Sequence, residues 1–196
     1  MQDILATASD VVTALAVCFG AYVAWLGVSA WQRELQGRTE YDLARRTLIA
    51  VYRVRDSIAS VRAAGMTIGE YADRPERKTG PPVADSEDLA YAFENRLKPL
   101  REAQSALDLE LREAEAVWGG LLKQPRDALR TLVKELVRTI GLYVYKRYAD
   151  SPAEKVKMQA IVWRMDTTET PDVFGASVDR VVADFDEELK RFLRSA

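Results

Sequence analysis

Along most of the chain, apolar residues recur at alternating spacings of three and four. This pattern runs through residues 41–62, 86–118, 125–144, 152–165 and 172–192. Because an α-helix has ~3.6 residues per turn, each stretch places its apolar residues on one helical face. We therefore predict an all-α fold. In the first stretch the periodic positions are Tyr41, Ala44, Leu48, Val51, Arg55, Ile58 and Arg62.

The stretch Val11–Trp31 has a different pattern, because it contains no charged side chain at all. At ~1.5 Å per residue it is long enough to cross a ~30 Å hydrocarbon layer. We predict a single N-terminal transmembrane helix here. Two alternatives are the central helix of a soluble bundle, which usually keeps some polar positions, and a cleaved secretory signal. The leader Met1-Gln2-Asp3 lacks the basic residues of such a signal.

Basic residues are absent before this span and begin directly after it, at Arg33, Arg38, Arg45 and Arg46. Basic flanks are retained on the cytoplasmic side of a membrane, so residues 1–10 should lie outside and the rest of the chain inside. The expected location is therefore a membrane, with the body of the protein on its cytoplasmic face. The same four arginines are candidate contacts to lipid headgroups. Orientation during insertion, combined with pairing to acidic neighbours, is slightly favoured over this role.

Small residues also recur within the span at helical spacing. They are Thr13, Ala16, Gly20, Ala24 and Gly27. Helices in lipid associate through such stripes because the backbones can approach closely. We predict self-association through this stripe, which makes a homo-oligomer one expected state.

The remainder divides at segments rich in glycine and proline. We predict a juxtamembrane helix at 32–64, a flexible loop at 65–85, and the other helices of a cytoplasmic bundle at 86–196. Residues 85–118 carry nine acids and four bases, whereas residues 123–147 carry seven bases and two acids. Two consecutive helices of opposite charge favour an antiparallel, coiled-coil-like hairpin.

The composition removes several kinds of chemistry. Histidine is absent and Cys18, inside the span, is the single cysteine, so imidazole ligands, thiolate zinc sites and histidine-assisted nucleophiles are excluded. After the span, 28 basic residues meet 28 acidic ones, which argues against nucleic acid as a partner. The acids Asp108, Glu110, Glu113 and Glu115 lie on one helix, where pairing with the basic helix is favoured over a catalytic role. We expect no catalytic residue, cofactor or metal.

One charged residue stands out because Arg55 occupies the apolar seam of the juxtamembrane helix. A buried arginine needs a carboxylate, so we predict a buried ion pair at Arg55 and Asp56, with the acidic helix as a further source of partners. A structural ion pair is favoured over anion binding.

Several short motifs resemble those of small bacterial membrane proteins with one N-terminal span and a cytoplasmic helical domain. They are Trp31-x-x-Glu34-Leu35-x-Gly37, the segment from Tyr52 through Arg55-Asp56 to Val61-Arg62, and Glu115-Ala116-x-Trp118-Gly119. The resemblance implies the same topology and a bacterial origin, so the expected location is a bacterial inner membrane. It implies no activity, because that group has none assigned.

Together these patterns favour a membrane-anchored helical scaffold that binds itself or a protein partner at the cytoplasmic face. An oligomeric membrane effector or channel component is an alternative, in which Thr13 and Ser29 would line a passage. A third possibility, an enzyme that uses only carboxylates and arginines, is the least favoured.

Overall fold

The computed structural model describes residues 2–75, 86–145, 151–164 and 171–194, with side chains from Phe19 onward except at 26, 29–30 and 32–34. This part of the chain is helical and has no strand, which confirms the all-α prediction. The α-helices are α1 (Gln2–Val61), α2 (Ser86–Trp118), α3 (Lys123–Val144), α4 (Pro152–Val162) and α5 (Val173–Leu193).

Helix α1 is a single helix of 60 residues that passes through Gly37 without interruption. Its C-terminal part is the centre of the core, because Leu43, Val51 and Val61 are fully buried. Before residue 40 the described side chains are mostly exposed. At ~1.5 Å per residue, the part of α1 that precedes the bundle is about 55 Å long.

Helix α2 runs antiparallel to α1. Near the start of α2, Arg96 reaches the carbonyl of Gly65, just beyond the end of α1. Near the end of α2, Glu113 accepts a hydrogen bond from Arg46. Helix α2 then ends at Gly119, whose φ of 65° lies in the left-handed region that favours glycine after a helix.

Helices α3 and α5 complete a four-helix bundle. Helix α3 is antiparallel to α2, because Arg126 pairs with Glu115 and Arg130, one turn later, pairs with the earlier Asp108. Helix α5 is antiparallel to α1, because its first turn lies beside Arg62 and Tyr52 donates a hydrogen bond to Asp186 farther along. The core runs through all five helices and includes Phe93, Leu100, Leu136, Val162, Phe185 and Leu189.

The bundle therefore has two ends, which we name by their distance from the N-terminal part of α1. The proximal end comprises residues 38–45, 115–126 and 188–194. The distal end comprises residues 62–75, 86–96, 159–164 and 171–179. At the proximal end the rings of Trp118 and Phe192 stack 4.4 Å apart, and at the distal end Phe93 and Trp163 lie 5.3 Å apart.

The predicted span, residues 11–31, is helical throughout as part of α1. Within the part of the chain whose side chains the structure describes, no helix has a stretch long and apolar enough to cross a membrane. Residues 11–18, which open the predicted span, lie outside that part.

The predicted loop at 65–85 is described only as far as residue 75. This portion includes regular structure and also contacts α2 through Glu70 and Arg74. Ile68–Glu70 forms a short 3-10 helix, and the carboxylate of Glu70 closes a capping box with Thr67. Tyr71 is buried. Residues 76–85 lie outside the described residues.

Candidate functional site

The uncovered part of α1 is the first candidate surface. Its large apolar side chains are exposed to an extent that is unusual for aromatic residues, with Phe19 at 68%, Trp25 at 65% and Trp31 at 61%. Tyr22, Val23, Val28 and Leu35 are exposed as well. Soluble monomers seldom expose a contiguous apolar surface of this kind. The surface therefore needs a partner that buries it, and the bundle itself does not provide one.

The predicted self-association stripe lies partly on this surface. Gly20, Ala24 and Gly27 are exposed, and an added Cβ at either glycine would meet no atom within 4 Å. The stripe thus leaves open space on one side of α1. Thr13 and Ala16 belong to the residues whose side chains are outside the described part of the chain.

The four candidate headgroup arginines have different environments. Arg38 and Arg45 are exposed near the proximal end. Arg46, by contrast, hydrogen-bonds to Glu113 at 2.7 Å and lies 3.6 Å from Glu110, and the bond to Glu113 raises its pKa. Because Arg46 joins α1 to α2, it is a less suitable headgroup contact than Arg45. The side chain of Arg33 lies outside the described part of the chain.

The acidic side chains of α2 form ion pairs with two neighbouring helices, α3 and α1. Asp108 pairs with Arg130 at 2.7 Å and Glu115 with Arg126 at 3.1 Å, as the hairpin of opposite charge predicted. Glu110 and Glu113 instead face α1 through Arg46. Among the residues that the structure describes, no group of His, Cys, Asp and Glu side chains is arranged to hold a metal ion.

A buried ion pair exists, but at a different arginine from the predicted one. Arg55 does pair with Asp56 at 2.8 Å, yet their side chains are 39% and 67% exposed, so the prediction that this pair is buried is wrong. The reason is that Arg55 lies at the edge of the covered face of α1. There its guanidinium turns outward over the ring of Tyr52, at 4.9 Å.

Arg62 forms the buried pair. Its side chain is 3% exposed and makes two hydrogen bonds to the Asp172 carboxylate, at 2.9 and 2.7 Å. It also donates to the carbonyls of Ile161 and Ala160 at 2.7 and 3.0 Å, which are orphan acceptors at the end of α4. One guanidinium thereby joins the end of α1, the end of α4 and the N-terminus of α5.

Asp172 has two roles in this arrangement. Besides pairing with Arg62, it caps α5 by accepting a hydrogen bond from the Gly175 amide at 2.9 Å. Burial raises the pKa of the Asp172 carboxyl, but the hydrogen bonds from Arg62 and Gly175 outweigh that effect, so its pKa lies below the ordinary value. Gly175 is required here, because an added Cβ would lie 2.8 Å from the Asp172 carboxyl carbon.

An open cleft of about 490 Å³ lies over this pair between α1 and α5, with Asp56, Arg164 and Asp179 among its lining residues. Its charges are mixed, and the two innermost charged groups, Arg62 and Asp172, already satisfy each other. A general base would need a carboxyl with a raised pKa, whereas that of Asp172 is lowered. The arrangement stabilises the junction of three helices and is not suited to acid–base chemistry.

Arg96 secures the chain where α1 ends. It donates to both carboxylate oxygens of Glu70, at 2.5 and 2.9 Å, and to the carbonyls of Ala63 and Gly65, at 2.9 and 2.7 Å. The hydrogen bond from Arg96 is the main reason that the pKa of Glu70 falls from 4.5 to about 2. The ionised form of Glu70 is therefore favoured by the folded state.

This lowered pKa predicts a loss of stability in acid. Because the folded-state pKa of Glu70 is below its unfolded value of 4.5, its contribution is complete at neutral pH and is lost as pH falls from about 4.5 towards 2. Allowing for partial exposure, we expect Glu70 to account for about 2 kcal/mol of unfolding free energy over this interval. Urea unfolding of the wild type and Glu70→Gln at a series of pH values measures it. Equal pH dependence in both proteins would contradict the prediction.

No protein-family model, curated protein or solved structure matches the chain. The resemblance to small bacterial membrane proteins therefore stays a prediction.

Proposed function

We propose that the protein is a membrane-anchored helical scaffold. The N-terminal part of α1 would lie in the bilayer, and the bundle would bind a protein partner, or a second copy of the chain, at the cytoplasmic face. The proposal rests on one observation. Before about residue 40, α1 extends beyond the bundle as a helix, and nothing in the described chain covers its large apolar side chains.

Lipid is the cover that best fits this part of α1. The uncharged stretch Val11–Trp31 matches the thickness of a hydrocarbon layer, and Trp31 would lie where interfacial aromatic residues are enriched. Binding to a soluble partner would not require a stretch of this length without a single charged residue. The open space beside Gly20 and Gly27 supports the association of α1 with a second membrane helix.

The bundle supports an interaction role because its polar groups serve mainly to join helices. The buried Arg62–Asp172 pair is saturated by protein groups, and the acids of α2 are paired with α1 and α3. The bundle is therefore a rigid helical body at the end of a stiff helix. Such a body can hold a partner at a fixed height above a membrane.

The orientation can be tested with fusions at Ala196. Because all 28 basic residues follow the span, we expect the C-terminus to be cytoplasmic. A green fluorescent protein fusion should then fluoresce, and an alkaline phosphatase fusion should be inactive. A matched variant with Arg33, Arg38 and Arg45 changed to Gln, which keeps the Arg46–Glu113 pair, should lower the fluorescent signal. An active phosphatase fusion of the wild type would contradict the proposed orientation.

A further inference from the structure

The two ends of the bundle carry opposite net charge. Residues 38–45, 115–126 and 188–194 of the proximal end contain seven basic and four acidic side chains. Residues 62–75, 86–96, 159–164 and 171–179 of the distal end, together with residues 138–145 at the end of α3, contain five basic and seven acidic ones. Among the described residues, the excess of positive charge thus lies on the side from which the N-terminal part of α1 projects.

The basic residues at the two ends are also used differently. At the distal end, Arg62 and Arg96 are occupied by Asp172 and Glu70 and by backbone carbonyls. At the proximal end, Lys123, Lys190 and Arg194 are exposed, and none of them pairs with an acid of the described residues. These charges do not hold the fold together, so they are available to a ligand.

Apolar groups accompany the charges at the proximal end. Val117 is 47% exposed at the last turn of α2, and the partly buried Leu121 follows in the turn before α3. Trp118 stacks on Phe192 between them and is itself only partly buried. Apolar and aromatic side chains next to exposed cations are the combination that favours the headgroup region of an anionic bilayer.

From these observations we infer that the proximal end is a second lipid-binding surface, which recognises anionic phospholipid headgroups. The inference rests on the proposed anchoring of α1, because an anchored α1 turns this end towards the bilayer. The turn between α2 and α3 and the end of α5 would contact the membrane through Lys123, Lys190 and Arg194. The acidic distal end would point away from the membrane, since its charge is repelled by the same lipids.

Fluorescence quenching by headgroup-labelled lipid tests the inference in the full chain. In a Cys18→Ala background, a fluorophore on Gly120→Cys reports on the proximal end, where there is space for it. A fluorophore on Ala72→Cys reports on the distal end. The protein is reconstituted in vesicles of phosphatidylcholine, alone or mixed with phosphatidylglycerol, with a nitroxide on a fraction of the headgroups.

We expect phosphatidylglycerol to raise quenching at residue 120 about twofold and to leave residue 72 unchanged. Lys123→Gln/Lys190→Gln/Arg194→Gln, and separately high salt, should abolish the increase. The matched control is Arg53→Gln/Arg164→Gln/Arg180→Gln, which removes three exposed arginines outside the proximal end and should keep the increase.

The outcomes separate this inference from the anchor. If the chain does not stay with the vesicles, the proposed anchoring fails, and the inference fails with it. If the chain is retained but quenching at residue 120 does not depend on phosphatidylglycerol or on the three cations, the anchor stands and the lipid-binding surface is overturned. In that second case the proximal end is left for a protein partner.

Discussion

Arg62→Met should lower the free energy of unfolding by about 3–5 kcal/mol, the effect expected when one partner of a buried ion pair is removed. The substitution leaves the Asp172 carboxylate, 13% exposed, without its cation. It also leaves the carbonyls of Ile161 and Ala160 without the donor that now satisfies them. Urea unfolding of the full chain in detergent, followed by circular dichroism, measures the change.

Two further variants show whether the loss arises from the buried pair. Arg55→Met removes an arginine whose partner Asp56 is exposed, so its effect should stay below about 1 kcal/mol. In Arg62→Met/Asp172→Asn the carboxylate is also neutralised while the cap on Gly175 can persist, so the double variant should lose less than the sum of the single losses. Equal effects of Arg62→Met and Arg55→Met would contradict the structural role assigned to Arg62.

Phe19→Arg/Val23→Arg should remove the protein from the membrane fraction. The two positions are near the centre of Val11–Trp31, where each arginine costs about 2.5–3.5 kcal/mol on insertion. The combined cost of about 5–7 kcal/mol corresponds to a change of several thousand-fold or more in the insertion equilibrium. Cell fractionation followed by immunoblotting against a C-terminal tag measures the shift.

The matched control places two arginines at exposed apolar positions of the bundle. Leu109 and Val156 are 66% and 64% exposed, against 68% and 50% for Phe19 and Val23. Because those positions face water in the proposed arrangement, Leu109→Arg/Val156→Arg should remain in the membrane fraction. If both double variants stay with membranes to the same extent, the N-terminal part of α1 is not in the hydrocarbon layer.

The sequence predicted the helices from the spacing of their apolar residues, and several helix ends also carry local signals. Ser86 begins α2, glycine follows Trp118, and Asp172 caps α5, and each of these features depends on residues only a few positions apart. The ion pairs between α2 and α3 were predictable as well, since the opposite charges are evident from composition. The sequence did not reveal that α2 packs mainly against α1. The short helix at Ile68–Glu70 was missed, because its capping box lies in a stretch dominated by glycine and proline.

The buried pair was not predictable, because Arg62 and Asp172 are separated by 110 positions. Arg55 and Arg62 occupy equivalent places in the apolar period of α1, and periodicity alone cannot tell them apart. The difference arises from α4 and α5, which cover α1 at Arg62 and leave Arg55 at an edge. For Arg46 the sequence left headgroup contact and pairing with acidic residues as alternatives, and it could not identify Glu113, 67 positions away, as the partner.

The central claim is that the N-terminal part of α1 is embedded in lipid, and alkaline carbonate extraction of membranes that contain the full chain tests it most directly. Carbonate strips proteins held at a membrane by charge or by other proteins, but leaves embedded helices in place. We predict that the wild type stays in the pellet after the wash. Its release into the supernatant would contradict the claim.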